Sequence, residues 1–92
     1  ACLEAANLQG ADIYKANFSH ANLKEANLIQ ASIRRATLVG ANMHRAKLKQ
    51  ADLLQANLVQ ANLSQADLHK ANMEGTNLIE ANLEEANLLG AN

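Results

Sequence analysis

Apolar residues recur in this chain at every fifth position. From Leu3 through Leu8, Ile13 and Phe18 to Leu88, each fifth residue is Leu, Ile, Met or Phe, and none is polar. Two places before each stands Ala, from Ala1 to Ala91, with Thr76 the one exception. Between them the residue is mostly Asn, with Asp12, Asp52 and Asp67 as close relatives and Cys2, Ser32, Thr37 and Lys47 as departures. The unit repeats without insertion, deletion or linker. In an α-helix, five residues advance about 500°, so successive leucines land about 140° apart and make no apolar face. In a flat strand, residues five apart point to opposite sides, and half the leucines would face water.

One geometry buries all of them. Ala and Leu stand two residues apart, so a short extended segment points both the same way. A turn of about a right angle after each unit aims every Ala and Leu at a common axis. Four units then close a coil of about 20 residues, with successive coils about 4.8 Å apart, the spacing of strands. Such a repeat buries its core only against its neighbours. Gly10, Gly40, Gly75 and Gly90 all fall two places after the Leu, where the corner must be. Glycine supplies the positive φ that such turns often need. Asn before the Leu points outward, where its amide can bond nearby backbone. Proline is absent, which suits a backbone whose N–H groups are in use.

This pattern resembles the pentapeptide repeat family, whose unit is similar to A(N/D)LXX, and the resemblance covers the whole chain. It implies an all-β fold, a right-handed quadrilateral β-helix. Handedness and squareness are the family's implication. Residues 1–92 are expected to form one such domain of about four and a half coils. The repeat runs to both ends without a capping unit, so the chain is expected either to be a segment of a longer solenoid or to associate end to end with its own copies, two-fold or as a stack. The aromatic residues are only Tyr14 and Phe18, so the core must be small and regular. Phe18, in the first coil, is either a plug at that end or an ordinary bulky substitute for Leu.

A coil of twenty turns each outward position into a vertical ladder, n, n+20, n+40. Ser19, Val39, Val59 and Ile79 form one ladder, and the last three make an apolar stripe. The stripe marks either a contact site or simple preference for a pleated surface. Val39, Val59, Ile79, Leu83 and Leu88 are therefore the candidate protein-contact residues. Glu4, Lys24, His44, Ser64 and Glu84 form a polar ladder beside Glu25, Arg45, Gln65 and Glu85. Lys24 with Glu4 and Arg45 with Glu25 are expected as exposed ion pairs. Net charge is −1, unevenly spread. From Lys15 to Lys49 there are seven basic residues against Glu25, and beyond Ala51 only Lys70 against six acids. That asymmetry is either a solvated accident or a device that orients a partner.

Candidate chemistry is sparse. His20, His44 and His69 are expected in different coils and on different sides, and Cys2 is the only cysteine. No metal site, cofactor site or catalytic residue is predicted. Ser19 and Ser64 are expected to lack a neighbouring His and acid in a relay. Arg34, Arg35 and Lys15 share one side, a small patch, but direct nucleic-acid binding is not expected from so few aromatics and this net charge. No apolar run is long enough to cross a membrane. With no signal peptide in this chain, a cytoplasmic location is expected. The predicted function is a non-catalytic structural or protein-interaction module. Some members of the family imitate DNA and protect DNA gyrase from quinolones, which supplies the alternative. Those mimics are strongly acidic, and the basic middle of this chain departs from them.

Overall fold

Each short extended segment pairs with the segment twenty residues later. The computed structural model describes residues 2–92; Ala1, the first expected inward alanine, lies outside the described residues. Every bridge among them is parallel and joins residues twenty apart, from Cys2–Asn22 to Asp67–Asn87. Three hydrogen bonds per unit tie a coil to its neighbours. Leu3 N–H donates to the Asn22 carbonyl at 2.7 Å, Ala5 N–H to that of Lys24 at 2.8 Å, and Asn27 N–H to that of Ala6 at 2.8 Å. A fourth bond closes the corner, as in Ala6 N–H to the Leu3 carbonyl at 3.0 Å. The backbone is a ladder wound on itself, in which the bonds run along the axis.

The corners explain the five-residue period. Residue i+2, counted from the Leu, has positive φ in every unit from Ala5 to Gly90. Positive φ at the third of four turn residues, with an i to i+3 bond, is the signature of a type II turn. Glycine fills this place only four times. Elsewhere Gln, Glu, Lys, Arg, His or Ala stands there with φ between 56° and 62°. A left-handed residue with a Cβ costs about 1–2 kcal/mol. From Ala5 to Lys70 each also donates its N–H to the adjacent coil, as Gln60 does to the Ile79 carbonyl at 2.9 Å, and that pairing offsets the cost. The expectation drawn from the glycines therefore holds for all corners, not for four. At Gly40 a further reason applies, because a Cβ there would stand 2.6 Å from His20 Nδ1.

The inward face is the expected one. From Ala21 to Ala71 every Ala and every Leu, Ile or Met of the pattern is buried, with Leu58, Leu38 and Ile33 sealed completely. Leu3, Leu8, Ile13 and Phe18 at one end, and Met73, Leu78, Leu83 and Ala86 at the other, are partly buried and pack against that core. Thr76 is tolerated in an alanine position because its hydroxyl donates to the Leu53 carbonyl at 2.7 Å. No buried side-chain nitrogen or oxygen among the described residues lacks a partner.

Candidate functional site

With the axis filled by Ala and Leu, the chemistry lies outside, and the residue before each Leu governs it. The i+1 N–H is the fifth of the unit and has no partner in the neighbouring coils. Its own unit supplies one: Asn57 Oδ1 accepts the Val59 N–H at 3.1 Å, Asn62 Oδ1 that of Ser64 at 3.0 Å, and Asp67 Oδ1 that of His69 at 3.0 Å. Every Asn and Asp at this place from Asn7 to Asn87 does so. Only a side-chain carbonyl or carboxylate oxygen at that reach is required, which is why Asp substitutes for Asn. Ser32, Thr37 and Lys47 form no such bond. The N–H groups of Arg34, Val39 and Lys49 consequently donate to no protein acceptor among the described residues. Cys2, the fourth departure, likewise gives the Glu4 N–H no acceptor among the described residues, so three of the four gaps lie within residues 31–50.

The outer ladders are linked from coil to coil. Gln60 donates to Glu80 at 3.0 Å, Gln65 to Glu85 at 3.1 Å, and Arg35 Nε to Gln55 at 2.9 Å. The expected pair of Arg45 with Glu25 forms at 3.6 Å. The expected pair of Lys24 with Glu4 does not; Glu4 instead accepts from the Asn22 amide at 3.4 Å, because that short rung lies nearer than the flexible lysine tip. Ser64 makes a contact that the ladder alone did not announce. It does have a neighbouring histidine: His44 Nδ1 lies 2.7 Å from Ser64 Oγ, and Ser64 is 9% exposed. The two share a ladder, and the coil above and below shields the hydroxyl. Among the described residues the His44 ring has no hydrogen bond to a carboxylate. Among the described residues no group of three His, Cys, Asp or Glu stands close enough to hold a metal ion.

The candidate contact residues fall in two places. Val39 and Val59 are half-buried in their ladder, and Ile79 continues it at 64% exposure. Leu83 packs against the core while Leu88 is 43% exposed. The basic patch of Lys15, Arg34 and Arg35 lies on the third side of the coil, made of residues 11–15, 31–35, 51–55 and 71–75. There Asp12, Tyr14, Ser32, Arg34, Arg35 and Leu54 line one open depression. Lys15 Nζ lies over the Tyr14 ring, 5.3 Å from its centre. The departure of Ser32 from Asn, beside two arginines, was the sequence signal for this place.

The fold and its outward side chains define a β-solenoid of short pentameric units. The chain belongs to the pentapeptide repeat family, whose model, "Pentapeptide repeats", matches residues 1–40, 26–65, 41–78 and 61–92. The fold is thus that family's right-handed, four-sided β-helix. A pentapeptide repeat protein from the cyanobacterium Cyanothece 51142 is similar over 99% of this chain, with 33% identity and a TM-score of 0.93. One from the thylakoid lumen of Arabidopsis thaliana is similar over 98%, with 27% identity and a TM-score of 0.94. The match covers 60% and 63% of those two chains, so this chain spans under two thirds of their length. No curated protein matches the chain.

Proposed function

We propose that this chain is a non-catalytic module that binds another protein through the outside of a rigid solenoid. The observation that carries the reading is the closure of the unit. In the regular repeats between Ala26 and Lys70 all five N–H groups are bonded within the molecule, as in residues 56–60, and the axis there holds only packed Ala, Leu, Ile and Met. Such a body holds its outer side chains in fixed registers twenty residues apart, about 4.8 Å per step. That surface suits recognition by complementary shape and charge. The depression lined by Tyr14, Arg34 and Leu54 is open and mixed in polarity, unlike the concave apolar sites that enclose small substrates. On the twenty-residue spacing we count about four and a half coils.

The exposed side chains of Arg34, Arg35, Arg45, Lys47 and Lys49 oppose a reading as a mimic of DNA, since they would repel a DNA-binding surface. Cross-linked affinity capture from the native cell tests the proposal, using the wild-type chain and variants that reverse charge or polarity on each side in turn. A specific protein retained by the wild type and lost on altering one side supports it. Loss of nothing on any side, or no retained protein, overturns it. A supercoiling assay with gyrase is expected to show no response to the chain at micromolar concentration.

A further inference from the structure

The third side carries a place where the repeat leaves its own bonding incomplete. Ser32 replaces the usual Asn or Asp, so the Arg34 N–H lacks the acceptor that every Asn and Asp unit provides. The unpaired donor lies where Arg34 and Arg35 converge with Tyr14 and Leu54 on a single depression. Arg34 Nε faces Asp52 at 3.5 Å, and Arg35 Nε is spent on Gln55 at 2.9 Å. Beyond those Nε contacts, neither guanidinium makes a hydrogen bond to protein among the described residues. The two nearby carboxylates are already engaged. Asp12 Oδ1 accepts the Tyr14 N–H at 3.1 Å, while Asp52 Oδ1 accepts from Leu54 N–H and from the Asn72 amide, each at 3.1 Å. Lys15, over Tyr14, adds a third cation at the rim.

We propose that this depression binds an acidic peptide segment of a protein partner, with one carboxylate taking the position that Asn Oδ1 holds in the regular units. The carboxylate accepts from the Arg34 N–H and the Ser32 hydroxyl and is flanked by the two guanidinium groups. Arg offers planar paired donors that match a carboxylate, and bonds to a charged acceptor are the strong ones. An apolar residue beside it lies against Tyr14 and Leu54. The lining comes from three successive coils, so the site is roughly 10 Å long at the strand spacing, enough for two or three extended residues. A run of phosphates suits it less well. Asp12 is part of the lining, and phosphodiester binding depends on a broad basic surface.

The inference rests on the proposed role as a protein-binding module and names where one partner engages. Fluorescence anisotropy tests it with a labelled peptide of alternating Glu and Leu, the same peptide with Gln for Glu, and a single-stranded oligothymidylate. The acidic peptide is expected to bind at low salt and the other two to bind at least about tenfold more weakly. The double variant R34Q/R35Q is expected to lose about tenfold in affinity. The decisive variant is S32N, which leaves the charge intact and restores an internal acceptor. It is expected to weaken the peptide by severalfold, and peptide binding to the wild type is expected to shift the Arg34 amide resonance. Thermal unfolding of each variant checks that the coil is intact. Equal affinity for the Gln peptide, tighter binding of the oligonucleotide, or an S32N chain that binds as the wild type does would overturn the site. So would self-association that R34Q/R35Q abolishes while no peptide binds. Retained partner capture by R34Q/R35Q overturns this site alone and leaves the binding-module reading standing.

Discussion

Residues 31–50 and residues 51–70 have the same interior and different exteriors. In both, the inward Ala and Leu, Ile or Met are buried to 1% exposure or less. In 51–70 each unit has Asn or Asp before the Leu, and each i+1 N–H is closed by it. In 31–50 only Asn42 does this. The corner bonds persist where the acceptor is missing, from Ala36 N–H to the Ile33 carbonyl at 3.2 Å and from Ala41 N–H to the Leu38 carbonyl at 3.0 Å, and between coils Gly40 N–H still meets the Val59 carbonyl at 2.9 Å. Folding and outer bonding are therefore separable. Ala, Leu and the left-handed corner set the coil, and the Asn or Asp determines whether the outer backbone is self-sufficient or open to another molecule.

The largest test of that separation is to charge the interior in both regions. Leu38→Lys and Leu58→Lys are each expected to cost about 4 kcal/mol or more, enough to unfold much of the population, because each buries an unpaired ammonium. Thermal melts that differ strongly between the two would break the claim of equal interiors. Val59→Lys, on the outside, is expected to change stability by about 0.5 kcal/mol or less. Next in size is the outer bond itself. Asn57→Ala leaves the Val59 N–H without its partner and is expected to cost about 1 kcal/mol. Thr37→Ala, where no such bond exists, is expected to cost distinctly less, and equal costs in urea titrations would contradict the comparison. The converse change sharpens it. Thr37→Asn and Lys47→Asn are each expected to gain about 0.5–1 kcal/mol. Amide exchange at Val39 and Lys49 should slow in step. The smallest effect belongs to the exposed pair of Arg45 and Glu25: Glu25→Gln is expected to matter by about 0.5 kcal/mol at most, and not at all at high salt.

Much of the coil was legible because its information is a period. Five residues exclude helix and strand, and the bridges at twenty follow from four units per turn. The corners were half legible. Glycine advertises positive φ, but Gln55 or Arg35 in the same conformation does not, since nothing in a polar side chain signals a turn held in place by the next coil. The pairing of His44 with Ser64 stood in the ladder from the start and was missed as a bond, because a short hydroxyl reads as exposed until its neighbours above and below are in place. The depression on the third side was visible only as a cluster of charge. Its significance depends on one missing acceptor at Ser32, which becomes a gap only once the regular units are known to bond themselves.

The uniform step of twenty also makes the surface a matter of counting. Inserting five residues anywhere in the chain would preserve which side chains face the axis. It would nevertheless move every later residue one side round; placed between Val39 and Leu54, it would take Val59 out of the ladder of Val39 and scatter a compound site such as that of Tyr14, Arg34 and Leu54 over two sides. Inserting twenty would lengthen the body by one layer and return every later residue to its own side. Duplications within a binding face thus fall into two kinds that share one fold: those in multiples of twenty extend the face, and those in other multiples of five break it up while leaving the inward pattern intact.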